Sequence, residues 1–207
     1  TFAGGCFWCM EPPFEKLVGI AEVVSGYTGG EKANPSYEEV SRGATEHREA
    51  VQIYYSPHVL SYEDLLDVFW RQIDPTDDGG SFVDRGFQYT TAVFVADETE
   101  RRLAEASRRR LAESGRLDGE IVTPILDAEE FYRAEEYHQD YYKKNPEDYH
   151  SYRSGSGRDQ YIEETWGDDK NVEGLVTKME RYGNFDRDER IEQLDEMQSE
   201  VVVEDST

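Results

Sequence analysis

The sequence predicts an α+β fold, in which a mixed β-sheet and flanking helices form a two-layer α/β sandwich. Segments with the alternating pattern of half-buried strands interleave with segments of helical period, without the regular repeat of a barrel. The connections between them are short. A chain of 207 residues can bury one sizeable core, so we expect one domain with an appendage.

The first strand and helix are predicted at the N-terminus. Residues 1–3 have the pattern of a strand end, and the glycines at 4–5 predict a tight turn after it. We expect a helix over residues 6–16. It has to begin close to the cysteines, because Pro12 and Pro13 are tolerated only near a helix start.

The next elements are two strands and a helix. IAEVVSGYTGG (20–30) predicts a strand that ends in a glycine turn, and EAVQIYYS (49–56) alternates as another strand does. Ser61 and Asp64 form a capping-box pattern ahead of LLDVFWRQI, whose apolar residues recur at helical spacing. We therefore expect a helix over residues 61–73.

Beyond this helix, residues 74–89 are rich in turn formers and predict a functional loop. TTAVFVA (90–96) predicts a strand, and a long amphipathic helix follows that Asp97 can cap and Gly115 can end. IVTPIL predicts a short strand, and the tyrosine-rich segment after it is expected to close at Pro146.

The composition excludes several classes of partner. The 46 acidic and 22 basic residues give a net charge of −24, which repels nucleic acid and anionic membranes. No apolar run approaches the roughly 18 residues of a membrane span, so we expect a cytoplasmic protein. The acidity extends along the whole chain, and only six of the 22 basic residues are lysines. This pattern is typical of a halophilic protein.

The two cysteines, Cys6 and Cys9, lie three residues apart. A zinc site needs three or four protein ligands, usually in paired clusters. The chain has four scattered histidines as further ligands: His47, His58, His138 and His150. We therefore expect no metal. A buried, inert pair of thiols remains the structural alternative.

The position of the pair favours thiol redox chemistry over an inert pair. A thiol at a helix N-terminus is expected to have a lowered pKa, which makes Cys6 the candidate nucleophile. Cys9, one helical turn away, can then form a disulfide with the oxidised Cys6. Phe7 and Trp8 between them offer two aromatic faces that suit a small apolar group such as a methyl.

The segment GGCFWCMEPPFEKLVGI resembles the opening of the A-type peptide methionine sulfoxide reductases, in the subgroup with a GCFWC motif. The similarity continues through VSGYTGG, NPSYEEV, EHREAVQIYYSP, QIDPTDDGGSFVDRGFQYTTAVF and FYRAEEYHQDYYKKNP. It covers residues 1–166 and implies a catalytic domain of that extent with the family's ferredoxin-like sandwich. It also implies reduction of the S epimer of methionine sulfoxide, free or protein-bound.

The resemblance implies catalytic roles for three residues. Cys6 matches the nucleophile, which becomes a sulfenic acid when the sulfoxide is reduced. Glu49 matches the general acid that protonates the departing oxygen, a role that requires burial to raise its pKa. Cys9 is expected to resolve the sulfenic acid as a disulfide, because the chain has no later cysteine; an external thiol is the alternative.

The resemblance also implies a substrate-binding set. Phe7 and Trp8 match the wall that holds the substrate methyl group. Tyr37 and Tyr89 match the two hydroxyl donors to the sulfoxide oxygen, and Asp84 matches the residue that hydrogen-bonds the substrate main chain. We assign no chemical role to the histidines of these motifs.

The expected partners are oxidised proteins, free methionine sulfoxide and an external thioredoxin-like reductant, without a bound cofactor. We expect a monomer. A general thiol–disulfide oxidoreductase that uses the same two cysteines is an alternative function, although the aromatic residues between the thiols argue against it. A redox sensor without enzymatic activity is a second alternative.

Residues 167–207 form an acidic extension that the resemblance does not reach. It carries 13 acidic and five basic residues, and weak helical patterns surround Met179 and Ile191. We expect it to be weakly helical or partly disordered.

The charge of the chain leads to a prediction about salt. Because cations screen the self-repulsion of a surface with a net charge of −24, thermal midpoint and activity should rise with KCl concentration. Thermal scans and activity assays from about 0.1 M to about 3 M KCl, a range over which salt increasingly screens exposed charges, measure this dependence. Equal stability in dilute buffer would argue against a halophilic origin.

Overall fold

The computed structural model describes residues 1–182, apart from the side chains of Met179 and Tyr182. Within this part of the chain the strands are β1 (Phe2–Ala3), β2 (Ile20–Thr28), β3 (Arg48–Tyr55), β4 (Gly80–Ser81), β5 (Asp84–Arg85), β6 (Ala92–Val95), β7 (Ile125–Asp127) and β8 (Tyr132–Arg133). The α-helices are α1 (Phe7–Glu15), α2 (Tyr37–Ser41), α3 (Tyr62–Gln72), α4 (Glu98–Glu113), α5 (Tyr141–Lys144), α6 (Pro146–Gly155), α7 (Arg158–Trp166) and α8 (Lys178–Tyr182).

Six strands form one sheet in the order β7-β6-β1-β3-β2-β8. The central four strands, β6, β1, β3 and β2, pair antiparallel with one another, and helices α1 and α3 connect them in the βαββαβ sequence of a ferredoxin-like fold. Strand β7 adds a parallel partner beside β6, and β8 pairs with β2 at the other edge. The sheet is therefore mixed, and the predicted α+β fold is confirmed.

The two faces of the sheet are packed differently. Phe2, Val51 and Val93 belong to the large core that the helices cover. Their strand neighbours Ala3 and Ala50 point to the opposite face, because successive side chains alternate. On that face a smaller cluster forms with Phe94 and, partly buried, Leu126 and Phe131. Most of the apolar burial thus lies between the sheet and one layer of helices.

Several predicted elements have different bounds in the structure. Helix α1 begins at Phe7, with Cys6 as its N-cap residue, and Pro12 and Pro13 lie in its interior. Pro146 does not close a segment; it is the first residue of α6, where its missing N–H costs no helical hydrogen bond. The predicted loop 74–89 contains the β4–β5 hairpin and a 3-10 helix, Phe87–Tyr89.

Helix α2 was not predicted from the sequence. Its signal is the capping box of Ser36 and Glu39, in which the Glu39 carboxylate accepts from the Ser36 main-chain N–H over 3.0 Å. The predicted box of Ser61 and Asp64 is present ahead of α3, and Asp97 caps α4 through the N–H of Glu100.

The extension after residue 166 is in contact with the preceding part of the chain as far as the structure describes it. The N–H of Val18 donates to the carbonyl of Val176 over 3.1 Å, and the N–H of Lys178 donates to Lys16 over 2.7 Å. These contacts lie at the C-terminal end of α1, whereas the cysteines lie at its start. Helix α8 includes the predicted pattern around Met179, and the pattern around Ile191 lies outside the described residues.

Among the described residues, no helix has both the length and the apolar character that crossing a membrane requires.

The turn between β1 and α1 leads to a prediction about Gly5. Its φ of +85° favours glycine, and a Cβ there would lie 2.5 Å from the Cβ of Ser81. Gly5→Ala should therefore cost more than the roughly 1–2 kcal/mol of a left-handed alanine and should displace Cys6. Denaturant unfolding and a thiol-modification assay measure the two effects.

Gly115 is the matched control, because its φ is +70° and a Cβ there would meet nothing within 4 Å. Gly115→Ala should show only the conformational cost. Equal losses of stability in the two variants would exclude a steric role for the Gly5 turn.

Candidate active site

The cysteines lie where the central strand β1 passes into α1. Gly4 and Gly5 turn the chain directly after β1, and Cys6 follows as the N-cap residue in a non-helical conformation. The N–H of Cys9 donates to the carbonyl of Cys6 over 3.1 Å, which forms the first turn. Cys6 is 6% exposed and Cys9 is fully buried. The two thiols are free and within hydrogen-bonding reach of each other.

Glu49 lies beside this turn. It is near the start of β3 on the helix-covered face, two residues before Val51, and is 1% exposed. Its Oε2 accepts the main-chain N–H of Phe7 over 3.2 Å. Burial raises the pKa of Glu49 to about 8, although this hydrogen bond opposes the shift. At neutral pH the site therefore contains a protonated carboxyl next to the helix N-terminus.

The two thiols titrate as a pair, because they share a hydrogen bond. Burial raises the pKa of the Cys6 thiol well above its ordinary value, and the hydrogen bond with Cys9 and the charge of Glu49 raise it further. The hydrogen bond from Cys6 lowers the pKa of Cys9 to about 6, and the charges of Arg158 and Arg153 contribute. In the protein without substrate the negative charge therefore lies on Cys9.

This distribution differs from the prediction that the helix N-terminus lowers the pKa of Cys6. The effect of the helix dipole is modest and is limited to the first turn. Cys6 is buried and its thiol hydrogen-bonds to Cys9, and both features disfavour its thiolate more strongly. Cys9 is also buried, but the hydrogen bond from Cys6 and, to a smaller extent, two guanidinium groups offset the cost of its charge.

Tyr37 and Tyr89 are brought to the same side of the site. Tyr37 is the first residue of α2, and Tyr89 ends the 3-10 helix that follows β5. Burial raises the pKa of Tyr37 to about 12, and it also raises the pKa of Tyr89; the charges of Glu49 and Cys6 add to both shifts. Both hydroxyl groups are therefore proton donors at physiological pH.

Asp84, in β5, accepts a short hydrogen bond from the hydroxyl of Tyr152. Burial raises the pKa of Asp84 above its usual value, while the Tyr152 hydrogen bond and the charge of Arg158 oppose that shift. The Tyr152 hydroxyl also lies within hydrogen-bonding reach of the Cys6 sulfur and lowers the pKa of Cys6, against the larger effect of burial. Tyr152 thus lies between Asp84 and Cys6. It is one of 14 tyrosines in the chain, and the sequence alone did not single it out.

The aromatic residues between the cysteines are not equally accessible. Phe7 is 1% exposed and packs against Tyr27 and His138 at ring distances of 5.9 and 5.0 Å. Trp8 is half-buried, and its ring stacks on Tyr141 at 3.8 Å. Trp8 therefore supplies most of the accessible aromatic surface of the motif.

His138 supports this aromatic wall. Its Nδ1 accepts the indole N–H of Trp8 over 3.1 Å, and the ring of Tyr37 lies 4.4 Å away. Burial lowers the pKa of His138 to about 4, against the charge of Glu135, so the ring is neutral at physiological pH. Glu135 in turn accepts the main-chain N–H of Tyr37 over 2.9 Å. His138 thus fixes the position of Trp8 in the aromatic wall, and Glu135 fixes the start of α2.

His47 has a different environment. It is fully buried, its Nδ1 accepts the N–H of Gly30 over 3.1 Å, and its Nε2 donates to the carbonyl of Lys32 over 2.7 Å. Both ring nitrogens thus have main-chain partners on the connection between β2 and α2.

Two arginines of the C-terminal helices lie behind the cysteine turn, and neither was singled out by the sequence. Arg158 is 1% exposed, and its Nη2 donates to the carbonyl of Gly4 over 3.0 Å. Arg153 donates from Nη1 to the carbonyl of Cys9 over 3.1 Å. Their charges reach the site only because α6 and α7 fold back against α1 and α3.

Among residues 1–182, one group of three carboxylates lies close enough to bind a metal: Glu11, Glu15 and Asp140, with ligand atoms within 4.8 Å. The ammonium group of Lys143 lies 2.5 Å from Glu15 and 2.8 Å from Asp140. A cation is thus already part of the cluster, which does not include the cysteines.

Comparison with known proteins is consistent with this geometry. A family model described as peptide methionine sulfoxide reductase matches residues 1–170. The peptide methionine sulfoxide reductase MsrA of Bacillus subtilis is 60% identical over 167 residues, which are 81% of this chain and 94% of that protein. The MsrA of Ligilactobacillus salivarius is 54% identical over 165 residues, 80% of this chain and 95% of that protein.

Solved structures lead to the same group. Reduced Mxr1 from Saccharomyces cerevisiae superposes with a TM-score of 0.64 at 34% identity, covering 70% of this chain and 84% of that one. Methionine sulfoxide reductase A of Corynebacterium diphtheriae gives 0.62 at 32% identity, covering 70% of this chain and 73% of that one. The family model ends at residue 170, so most of the extension lies outside the match.

Proposed function

Because the chain belongs to the peptide methionine sulfoxide reductase family, we propose that it reduces the S epimer of methionine sulfoxide, free or in oxidised proteins, through Cys6. The observation that carries this mechanism is the buried carboxyl of Glu49, whose Oε2 accepts the N–H of Phe7, the residue after Cys6. A neutral carboxyl there can protonate a sulfoxide oxygen while the sulfur is attacked.

The substrate would bind against the aromatic wall. Trp8, which is half-buried, and the more deeply buried Phe7 offer apolar faces that suit the methyl group attached to the sulfoxide sulfur. Tyr37 and Tyr89 would donate hydrogen bonds to the oxygen, and Asp84 would accept one from the substrate main chain. The raised pKa values of both tyrosines support this role, because each hydroxyl keeps its proton.

The reductive step transfers oxygen from the substrate to Cys6. The Cys6 proton passes along the hydrogen bond to the Cys9 thiolate, and the Cys6 sulfur attacks the sulfoxide sulfur. This attack forms an S–S bond, and Glu49 protonates the oxygen. The hydroxyl then passes from the substrate sulfur to the Cys6 sulfur while the S–S bond and the S–O bond of the substrate break, which leaves methionine and a Cys6 sulfenic acid. Two electrons pass from the thiol to the substrate sulfur.

Resolution follows between the two cysteines. The Cys9 thiol loses its proton, its sulfur attacks Cys6, and the oxygen leaves as water with one proton from the sulfenic acid and one from solvent. A thioredoxin-like dithiol then reduces the Cys6–Cys9 disulfide and becomes oxidised itself. Two thiols and an external reductant account for all electrons, so the cycle needs no cofactor.

The surroundings of the enzyme are part of the proposal. A net charge of −24 supports a monomer in a salt-rich cytoplasm, where oxidised proteins would be repaired.

The stereochemistry is tested by incubating the protein with dithiothreitol and each epimer of N-acetylmethionine sulfoxide, and by measuring methionine derivative formed over time. We expect product from the S epimer alone. Equal rates on both epimers would contradict the stereospecific site, and no product from either would contradict the reductase function. A general disulfide oxidoreductase would reduce disulfides and neither epimer.

For Glu49, the reductive step should slow as pH rises through about 8, because the carboxyl loses its proton there. Glu49→Gln should slow this step by about 10², the usual contribution of a general acid, and should remove that part of the pH profile. Single-turnover formation of product between pH 6 and pH 9.5, about the range in which carboxyls of raised pKa titrate, measures both effects.

Glu11→Gln is the matched control. Burial raises the pKa of Glu11 to about 8 as well, but its carboxyl accepts from Ser25 and from the N–H of Asp140. This variant should keep the wild-type rate. A Glu49→Gln enzyme as fast as the Glu11→Gln enzyme would remove Glu49 from the mechanism.

A further inference from the structure

The main-chain carbonyl of Cys9 has an unusual partner. In an α-helix it would accept the N–H four residues later, but that residue is Pro13, which has none. Nη1 of Arg153 donates to this oxygen instead, over 3.1 Å. The guanidinium is fixed by two further bonds, from Nε to Asp159 (2.8 Å) and from Nη2 to Gln72 (3.2 Å).

We propose that Arg153 is a positioning residue for resolution: it holds the Cys9 turn through the carbonyl that Pro13 leaves open and supplies positive charge beside the attacking sulfur. This inference rests on the proposed function, because it assumes that Cys9 resolves the Cys6 sulfenic acid. The thiolate is the form of cysteine that attacks, so a cation at this position extends resolution to lower pH.

Charged and titratable groups face Cys9 from several elements. They are Cys6 before α1, Glu49 on β3, Asp84 on β5, Tyr149 and Arg153 on α6, and Arg158 on α7. The hydrogen bond from Cys6 and the two arginines favour the Cys9 thiolate and lower its pKa to about 6, whereas burial and Asp84 oppose this. Glu49 is neutral below a pH of about 8 and does not cancel the arginine charges there.

The two arginines differ in their other hydrogen bonds and in their exposure to solvent. Arg158 is 1% exposed and donates to the main-chain carbonyls of Gly4 and Gln72, so its removal would disturb the turn before Cys6. The side chain of Arg153 is 15% exposed and reaches solvent beside Asp159. Arg153 is therefore the residue whose charge can be changed with less effect on the fold.

The test is a single turnover of the full-length chain with the S epimer of N-acetylmethionine sulfoxide and no reductant, between about pH 5.5 and about pH 9.5, the range in which perturbed thiols titrate. Acid-quenched samples give the product formed and, by alkylation and mass measurement, the disulfide formed. In the wild type we expect the rate of disulfide formation to rise with pH to a plateau, with a midpoint set by the Cys9 thiol of the oxidised enzyme.

In Arg153→Gln the midpoint should rise by about one pH unit, which lowers the rate about fivefold at the wild-type midpoint and far less at pH values well above both midpoints. Arg153→Lys keeps the charge and should keep the wild-type midpoint. Asp159→Asn removes the ion pair on the other side of the same guanidinium, and its midpoint should not rise. A loss of rate that is equal at every pH, with an unchanged midpoint, would show that Arg153 holds the turn without acting through its charge, and would overturn the inference.

Two further results separate this inference from the proposed function. Cys9→Ser should form one equivalent of product and no disulfide; if it still cycles with thioredoxin, another thiol resolves and the proposed role of Cys9 fails. If Arg153→Gln has the same midpoint as the wild type, the charge of Arg153 has no effect on resolution and the inference fails, whatever the result for Cys9→Ser.

Discussion

The hydrogen bond from the Phe7 N–H to Glu49 joins the start of α1 to the central strand β3, and the chemistry of the site depends on it. It brings a carboxyl next to the residue after Cys6 and holds it where it is 1% exposed. Burial of that carboxyl then keeps it protonated at neutral pH. This contact thus fixes the position of the carboxyl, whereas burial, against the effect of the same hydrogen bond, determines its protonation state.

The same burial explains where the charge of the cysteine pair lies. A buried thiol that hydrogen-bonds to a second thiol is a poor site for a negative charge, and Cys6 accordingly holds its proton. Cys9 is also buried, but it has the hydrogen bond from Cys6 and guanidinium groups from α6 and α7 beside it. In a chain with a net charge of −24, these two arginines place positive charge beside the cysteine turn.

Local rules predicted most elements of the fold. The capping boxes and the alternating strands are properties of a few neighbouring residues, so Ser61, Asp97 and the β3 pattern indicated their elements correctly. The short helix α2 has the same capping-box signal at Ser36. Its 5 residues are too few to show a helical period in the sequence. Pro146 was misread because a proline marks a helix start as well as a helix end, and the sequence pattern around it fits both.

The sequence by itself determined the fold class, the two thiols at a helix start, and the aromatic residues between them, because each depends on residues close in the chain. The family motifs also named Glu49, Tyr37, Tyr89 and Asp84. Only the tertiary structure decided their protonation states and added Tyr152, Arg153 and Arg158. Those properties depend on burial and on charges from helices more than 140 residues away in the chain, which no local pattern records.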